Sequence, residues 1–123
     1  MDVGMSTANG LWQQAVSGTF RLEADAAQRC ARVYTRFVEE TLEPQIDRVK
    51  RSVQIEGFGG FDSARQLQGG FVAKSENMIE ALNGMRDAAV KMAAAYLRAG
   101  NLIADTDADN KSAIKAAVER GKR

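Results

Sequence analysis

Hydrophobic positions along this chain recur at helical spacing. From Met78 to Ile103, Met78, Leu82, Met85, Ala89, Met92, Tyr96, Ala99 and Ile103 alternate spacings of four and three without a break. That alternation is the heptad seam of a helix packed on another helix, in coiled-coil fashion. Ala, Met, Leu, Glu, Lys and Arg fill most of the intervening positions, and no Pro interrupts them, so the pattern predicts one long helix. A second apolar line, Ile79, Val90, Ala93 and Leu97, lies beside the seam. It widens the apolar face beyond what a two-stranded coiled coil needs and predicts more than one helical neighbour.

The same spacing organises the first half. Residues 1–10 are small and polar and predict a flexible tail. Trp12, Val16 and Phe20 then stand four apart, and Ala27, Cys30, Tyr34 and Phe37 follow, with Val38 and Leu42 continuing one edge. Gly18-Thr19 is the weak point of this stripe, where a bent turn is expected. Pro44 is the only proline. Leu42, Ile46, Val49 and Val53 stay in phase across it, which favours a kink in one helix over a second helix beginning with Pro44 in its first turn.

Three glycines in the stretch Gly57-Phe58-Gly59-Gly60 end the first helical region, and Asp62 or Ser63, with Gln66, can cap the next. The expected architecture is therefore all-α: an antiparallel helical hairpin over residues 11–103, helices near 11–55 and 62–103, and a turn at 56–62. With that turn centred on Gly59, Tyr34 should lie near Met85, Leu42 near Met78, Val49 near Phe71 and Phe20 near Ala99, with Phe58 and Phe61 plugging the closed end. Residues 104–123 hold an acidic turn and then Ile114, Ala117 and Val118 at helical spacing, followed by a basic end. That order suits a short C-terminal helix.

Composition narrows the function. At 123 residues with 45% hydrophobic and 27% charged positions, the chain is one ordinary globular domain. A formal net charge of +1 supplies no overall attraction for nucleic acid. No stretch approaches the length of a membrane span and the N-terminus does not read as a signal peptide, so the expectation is a leaderless chain made in the cytoplasm, with no membrane insertion. Cys30 lies among Ala26, Ala27, Ala31 and Tyr34 and reads as a small core residue.

Candidate chemistry is sparse. There is no His, which removes the commonest general base and metal ligand. Asp105, Asp107 and Asp109 match three ligand positions of a calcium loop, but Asn110 and Ala116 stand where the Gly and the bidentate Glu belong. No Gly-Lys-Ser/Thr follows the glycines at 57–60, so a phosphate loop is not indicated. Arg29, Arg32, Arg36, Arg48, Lys50 and Arg51 read as solvated helix faces before they read as a patch for an acidic partner. The expectation is a non-enzymatic, cofactor-free protein whose function is to bind other proteins.

Two long helices joined at a turn carrying Phe58-Gly59-Gly60 resemble the W-x-G helical-hairpin superfamily of type VII secretion substrates and associated proteins, across roughly residues 11–114. Phe58 stands where that family has Trp. The resemblance implies pairing with another hairpin, or with itself as a homodimer, into a four-helix bundle, and contact with a type VII secretion component. It also implies export without a signal peptide, through an element after the second helix. Tyr96 is followed four residues later by Gly100 rather than an acid, whereas Ile103, Asp107 and Ile114 fit a looser form of that element. Partner-binding candidates are Ile79, Val90, Leu97, Met85 and Met92. Met85 and Met92 are expected to hold the fold, and Val90 and Leu97 the association. The alternative reading is a cytosolic adaptor, chaperone or antitoxin-like protein that holds a client on the same helical face.

Overall fold

A computed structural model describes residues 2–53 and 62–120. Among these the chain is helical with no strand: α1 (Met5–Ser17), α2 (Ala24–Phe37), a π turn (Val38–Leu42), α3 (Glu43–Val53), α4 (Asp62–Ala99), a 3-10 turn (Asp105–Asp107) and α5 (Lys111–Glu119). The expected turn at 56–62, with Phe58, Gly59, Gly60 and Phe61, lies outside the described residues, apart from Asp62 at the start of α4. The all-α class, the hairpin and the short terminal helix stand as expected.

The first helix differs from expectation in three ways. Residues 5–10 are helical rather than a loose tail, because the Asp2 carboxylate accepts the N–H groups of Gly4 at 3.0 Å and Met5 at 2.8 Å, partners that the first turn of a helix otherwise lacks. The region expected as one helix is two rods over its described residues, 11–53. Gly18 adopts a left-handed φ of 84°, and the Gln14 carbonyl accepts from the Ser17 and Thr19 hydroxyls and from the Phe20 N–H. These contacts close α1, and α2 sets off in the reverse direction.

Pro44 produces neither of the two expected outcomes. The chain runs through it because the preceding turn is widened: the Glu43 N–H bonds to the Val38 carbonyl, five residues back. In an α-helix the proline ring would strike the carbonyl four residues earlier, and the π turn holds one extra residue that relieves this contact. It also explains why Val38, Leu42 and Ile46, all buried, can follow one another at two spacings of four. On a regular helix each such spacing turns the stripe by about 40°.

α4 is the axis of the molecule, and every other helix packs on it. α1 runs parallel to it: Gly4 sits by Ala88, Trp12 under the Lys91 ammonium, Phe20 on Tyr96, and the Leu22 N–H bonds the Ala99 carbonyl at 3.0 Å. α2 and α3 return antiparallel, with Ala27 against Gly100, Tyr34 stacked on Tyr96, and Val38 and Leu42 packed with Ala89. α5 lies on the far side, where Gln28 and Arg32 of α2 donate to the Ala117 and Val118 carbonyls. Cations and amides there satisfy the open C-terminal end of α5.

This arrangement corrects the expected register. Tyr34 meets Tyr96 instead of centring on Met85, and Leu42 meets Ala89 instead of Met78. The hairpin is aligned at its small-residue end, where Ala24 and Ala27 lie against Gly100, and not by symmetry about Gly59. Because α4 outruns the 24–53 rod and the two are level at that end, the excess of α4 lies at its N-terminus.

The core is concentrated in the C-terminal third of α4. Ala88, Ala89, Ala93, Ala94, Ala95, Leu97 and Ala99 are all buried, whereas Ser75 is the one buried residue among described α4 side chains before Ala88. α4 closes in a Schellman cap, with Asn101 left-handed at φ 59° and the Leu102 N–H reaching the Leu97 carbonyl at 2.8 Å. A Cβ at Gly100 would come within 2.4 Å of the Ala27 Cβ, whereas one at Gly69 would meet nothing within 4 Å. Gly100→Ala is therefore expected to cost about 1–3 kcal/mol by overpacking, and Gly69→Ala to raise stability by about 0.5–1 kcal/mol through helix propensity. Urea unfolding of the two variants beside the parent checks both signs.

Candidate protein-interaction face

The expected seam on α4 divides along its length. Alternate members of a four-three pattern lie about 60° apart on the helix, and α2 and α3 cover only one edge. Leu82 and Ala89 turn inward to Val38 and Leu42, while Met78 and Met85 remain 50% and 37% exposed. The exposed edge belongs to a second seam of the same alternation: Leu67, Phe71, Lys74, Met78, Ala81, Met85, Ala88 and Met92. Leu67 is 63% exposed.

α1 closes the upper part of this second seam. Val3 reaches Gly84, where an added Cβ would be 2.8 Å from the valine methyl, and Gly4 covers Ala88. Below that point Leu67, Met78 and Met85 are exposed. Between α1 and α2 a groove floored by Met85, Ala89 and Met92 runs upward, walled by Val3, Thr7, Tyr34 and Phe37, and Phe37 and Val33 of α2 are themselves exposed. Lys74 is the one charge in the open seam. A surface of this kind suits the apolar face of an amphipathic helix.

The head of the groove is aromatic. Tyr96 meets Phe20 edge to face and stacks on Tyr34, both with ring centroids 5.7 Å apart. Burial first, and then the Tyr34 phenol, raise the Tyr96 pKa above the ordinary tyrosine value. Cys30 neighbours the same ring and is half-buried, not enclosed as its apolar surroundings in the sequence suggested.

The partner-binding candidates separate. Met85 lies on the open seam, and Met92 forms half-buried floor of the groove. Ile79 is half-buried, and Val90 packs against both core clusters. Leu97 is a correction: it is fully buried, the largest such side chain among the described residues, because α4 is enclosed on all sides at its level. The expected roles are thus partly exchanged, with Leu97 holding the fold and Met85 facing outward.

The export candidates separate likewise. Ile103 and Ile114 are both buried in the main core cluster, where Ile103 follows the Schellman cap and Ile114 presses α5 onto α4. They present no apolar surface. Asp107 is half-buried in the 3-10 turn. The cap of α5 is Asn110, whose side chain accepts the Ala113 N–H at 3.0 Å, and neither Asp107 nor Asp109 serves there. Asp105 pairs with Arg98, and Asp109 lies 4.0 Å from Lys91.

Much of the basic group on α2 and α3 is engaged locally. Arg29 pairs with Asp25 and Arg36 with Glu40, Arg48 contacts Gln45, and Arg32 holds α5. No described helix is long and apolar enough to cross a membrane. Comparison with protein-family models, curated proteins and solved structures gives no match.

Two outcomes follow from this geometry. Leu97→Asp places an unpaired carboxylate in the enclosed core and should abolish the folded circular dichroism spectrum. Met78→Asp should change unfolding free energy by less than about 1 kcal/mol, as exposed substitutions do. Tyr96 supplies the pH dependence. Its folded pKa is raised, so its contribution is complete below the unfolded tyrosine pKa and is lost as pH rises through that value toward the folded one. Thermal melts between pH 8 and pH 11, about the ordinary value near 10, should fall more steeply for the parent than for Tyr96→Phe.

Proposed function

We propose that this chain is a protein-binding helical hairpin, acting as a paired substrate or partner in type VII secretion. The observation that carries the binding part is the open seam on α4, where Leu67, Met78 and Met85 are exposed in heptad alternation while the same helix is enclosed higher up. An apolar stripe of this regularity is what one helix presents to another. The secretion part rests on the antiparallel hairpin and on the turn triplet and tail element in the sequence.

A second reading, an adaptor that stays in the cytosol and holds a client on the same face, is favoured by one observation. Ile103 and Ile114, two of the three residues of the export element, are enclosed in the core, which leaves Asp107 alone for a receptor to contact.

Secretion of the untagged chain separates the two. On the type VII reading it accumulates in culture fluid free of lysis markers, and Asp107→Asn lowers that amount several-fold while the cytosolic level holds. Because Asn110 caps α5, the substitution leaves the cap intact and the melting temperature nearly unchanged, the cap itself being worth about 1 kcal/mol. An absence of the parent chain from the fluid, with a co-purifying helical client in the cytosol, replaces secretion with the adaptor reading.

A further inference from the structure

We propose that the cleft beside the π turn binds a free α-amino acid with an apolar side chain, held as its zwitterion. The cleft has a volume of about 250 Å³ and lies between the second rod, α4 and α5. That is below the range of about 300–1,000 Å³ usual for drug-sized ligands and fits a smaller molecule. Val38, Val90 and Ile114 give it an apolar floor, and its rim is charged. It shares no residue with the exposed stripe of Leu67, Met78 and Met85, so the inference goes beyond the protein-binding reading.

Opposite charges stand on the two sides of the rim. Glu39 and Glu43 belong to the π turn and the start of α3, and Lys111 and Lys115 to α5. Glu39 and Lys115 satisfy each other at 3.3 Å. Among the described residues neither Glu43 nor Lys111 has an ion-pair partner, although both border this one cleft. Each also edges a neighbouring groove, Glu43 with Lys50 and Arg86 and Lys111 with Asp87 and Asp109, and none of those groups comes within 4.0 Å of it. Lys111 stands in the first turn of α5, where the helix dipole disfavours a cation, so its charge does not serve the helix. A ligand with one ammonium and one carboxylate answers both groups together, whereas a simple anion or cation answers one and meets a like charge beside it.

The π turn supplies a further acceptor for the ammonium. The Glu43 N–H bonds to the Val38 carbonyl, five residues back, and position 44 is proline. In an α register the Glu39 carbonyl would accept from residue 43, and in a π register from residue 44. It is therefore left without either helical donor, and a backbone carbonyl calls for one. Helical carbonyls point toward the C-terminal end of the rod, which directs this one to the level of Glu43. One ammonium can donate to both, while the carboxylate meets Lys111 and the side chain lies on Val38, Val90 and Ile114.

The test uses the full chain and L-leucine, with three analogues that each lack one part: 4-methylpentanoate the ammonium, 3-methylbutylamine the carboxylate, and glycine the side chain. Calorimetric titration should give leucine a dissociation constant below about 1 mM and each analogue one at least about tenfold higher. Amide signals that move with leucine should include Thr35, Val38, Val90 and Ile114, which line the cleft. Glu43→Gln and Lys111→Gln should each raise the leucine constant at least about tenfold, the worth of one charge-assisted hydrogen bond. Both side chains are exposed, so the melting point should hold. Pro44→Ala returns an N–H to the Glu39 carbonyl without touching a side chain of the cleft and should raise the constant about threefold or more. Lys50→Gln, on the neighbouring groove, should leave it unchanged. No leucine binding at about 10 mM overturns the inference, as does equal binding of 4-methylpentanoate or equal binding by a Glu43→Gln, Lys111→Gln double variant. Either of those results leaves the protein-binding reading standing, because secretion and co-purification report on a different face.

Discussion

The close approach of three helices to one short stretch of α4 is the constraint on which the rest of the molecule depends. Ala88, Ala89, Ala93, Ala94, Ala95 and Ala99 are all at most 5% exposed, and a helix with apolar positions on so many of its faces is stable only when enclosed. Methyl side chains keep the axes close enough for α1, α2 and α5 to pack against α4 at the same height. Leu97 is the single large side chain fully enclosed there, so most of the attraction comes from many small contacts at high density rather than from a few bulky residues. Gly100 completes the belt by admitting Ala27 where no side chain would fit.

Polar groups at this end of the molecule are tied to the same belt. The Ala99 carbonyl, left open by the end of α4, accepts from Leu22, and the Leu102 carbonyl accepts from Arg120. Lys91 lies 5.1 Å from the centre of the Trp12 ring and reaches Asp109, joining α1 to the approach to α5 through one ammonium. Ser75 is the one buried residue among described α4 side chains before Ala88. Cohesion is thus concentrated at one end of α4, and exposed apolar side chains, Leu67, Met78 and Met85, lie toward the other.

Helix positions, the return of the hairpin and the short terminal helix were legible in the sequence because apolar spacing reports them directly. The corner at Gly18 was less so, since Trp12, Val16 and Phe20 keep helical phase up to and beyond it, and phase alone does not reveal that the chain has reversed. Alanine explains the larger misreading. In a pattern of large side chains Ala94 and Ala95 count as helix formers, whereas in three dimensions they are part of the core around Leu97. The second seam was present as an alternation beginning at Leu67, but Ala81 contributes little apolar signal and Lys74 interrupts it.

The π turn has a consequence for how this chain can vary in length. Counted from Ala27, the buried face of the second rod follows a heptad with one skip residue, taken up between Val38 and Leu42. Loss of any one residue there would restore a regular heptad and leave Ile46 and Val49 facing α4, so packing alone does not maintain the extra residue. Pro44 does, because in the shortened helix its ring would meet a carbonyl at a cost of about 3 kcal/mol or more. The skip residue and the proline therefore form one structural unit: the proline can be replaced while the skip remains, but deleting the skip while the proline stands carries that cost.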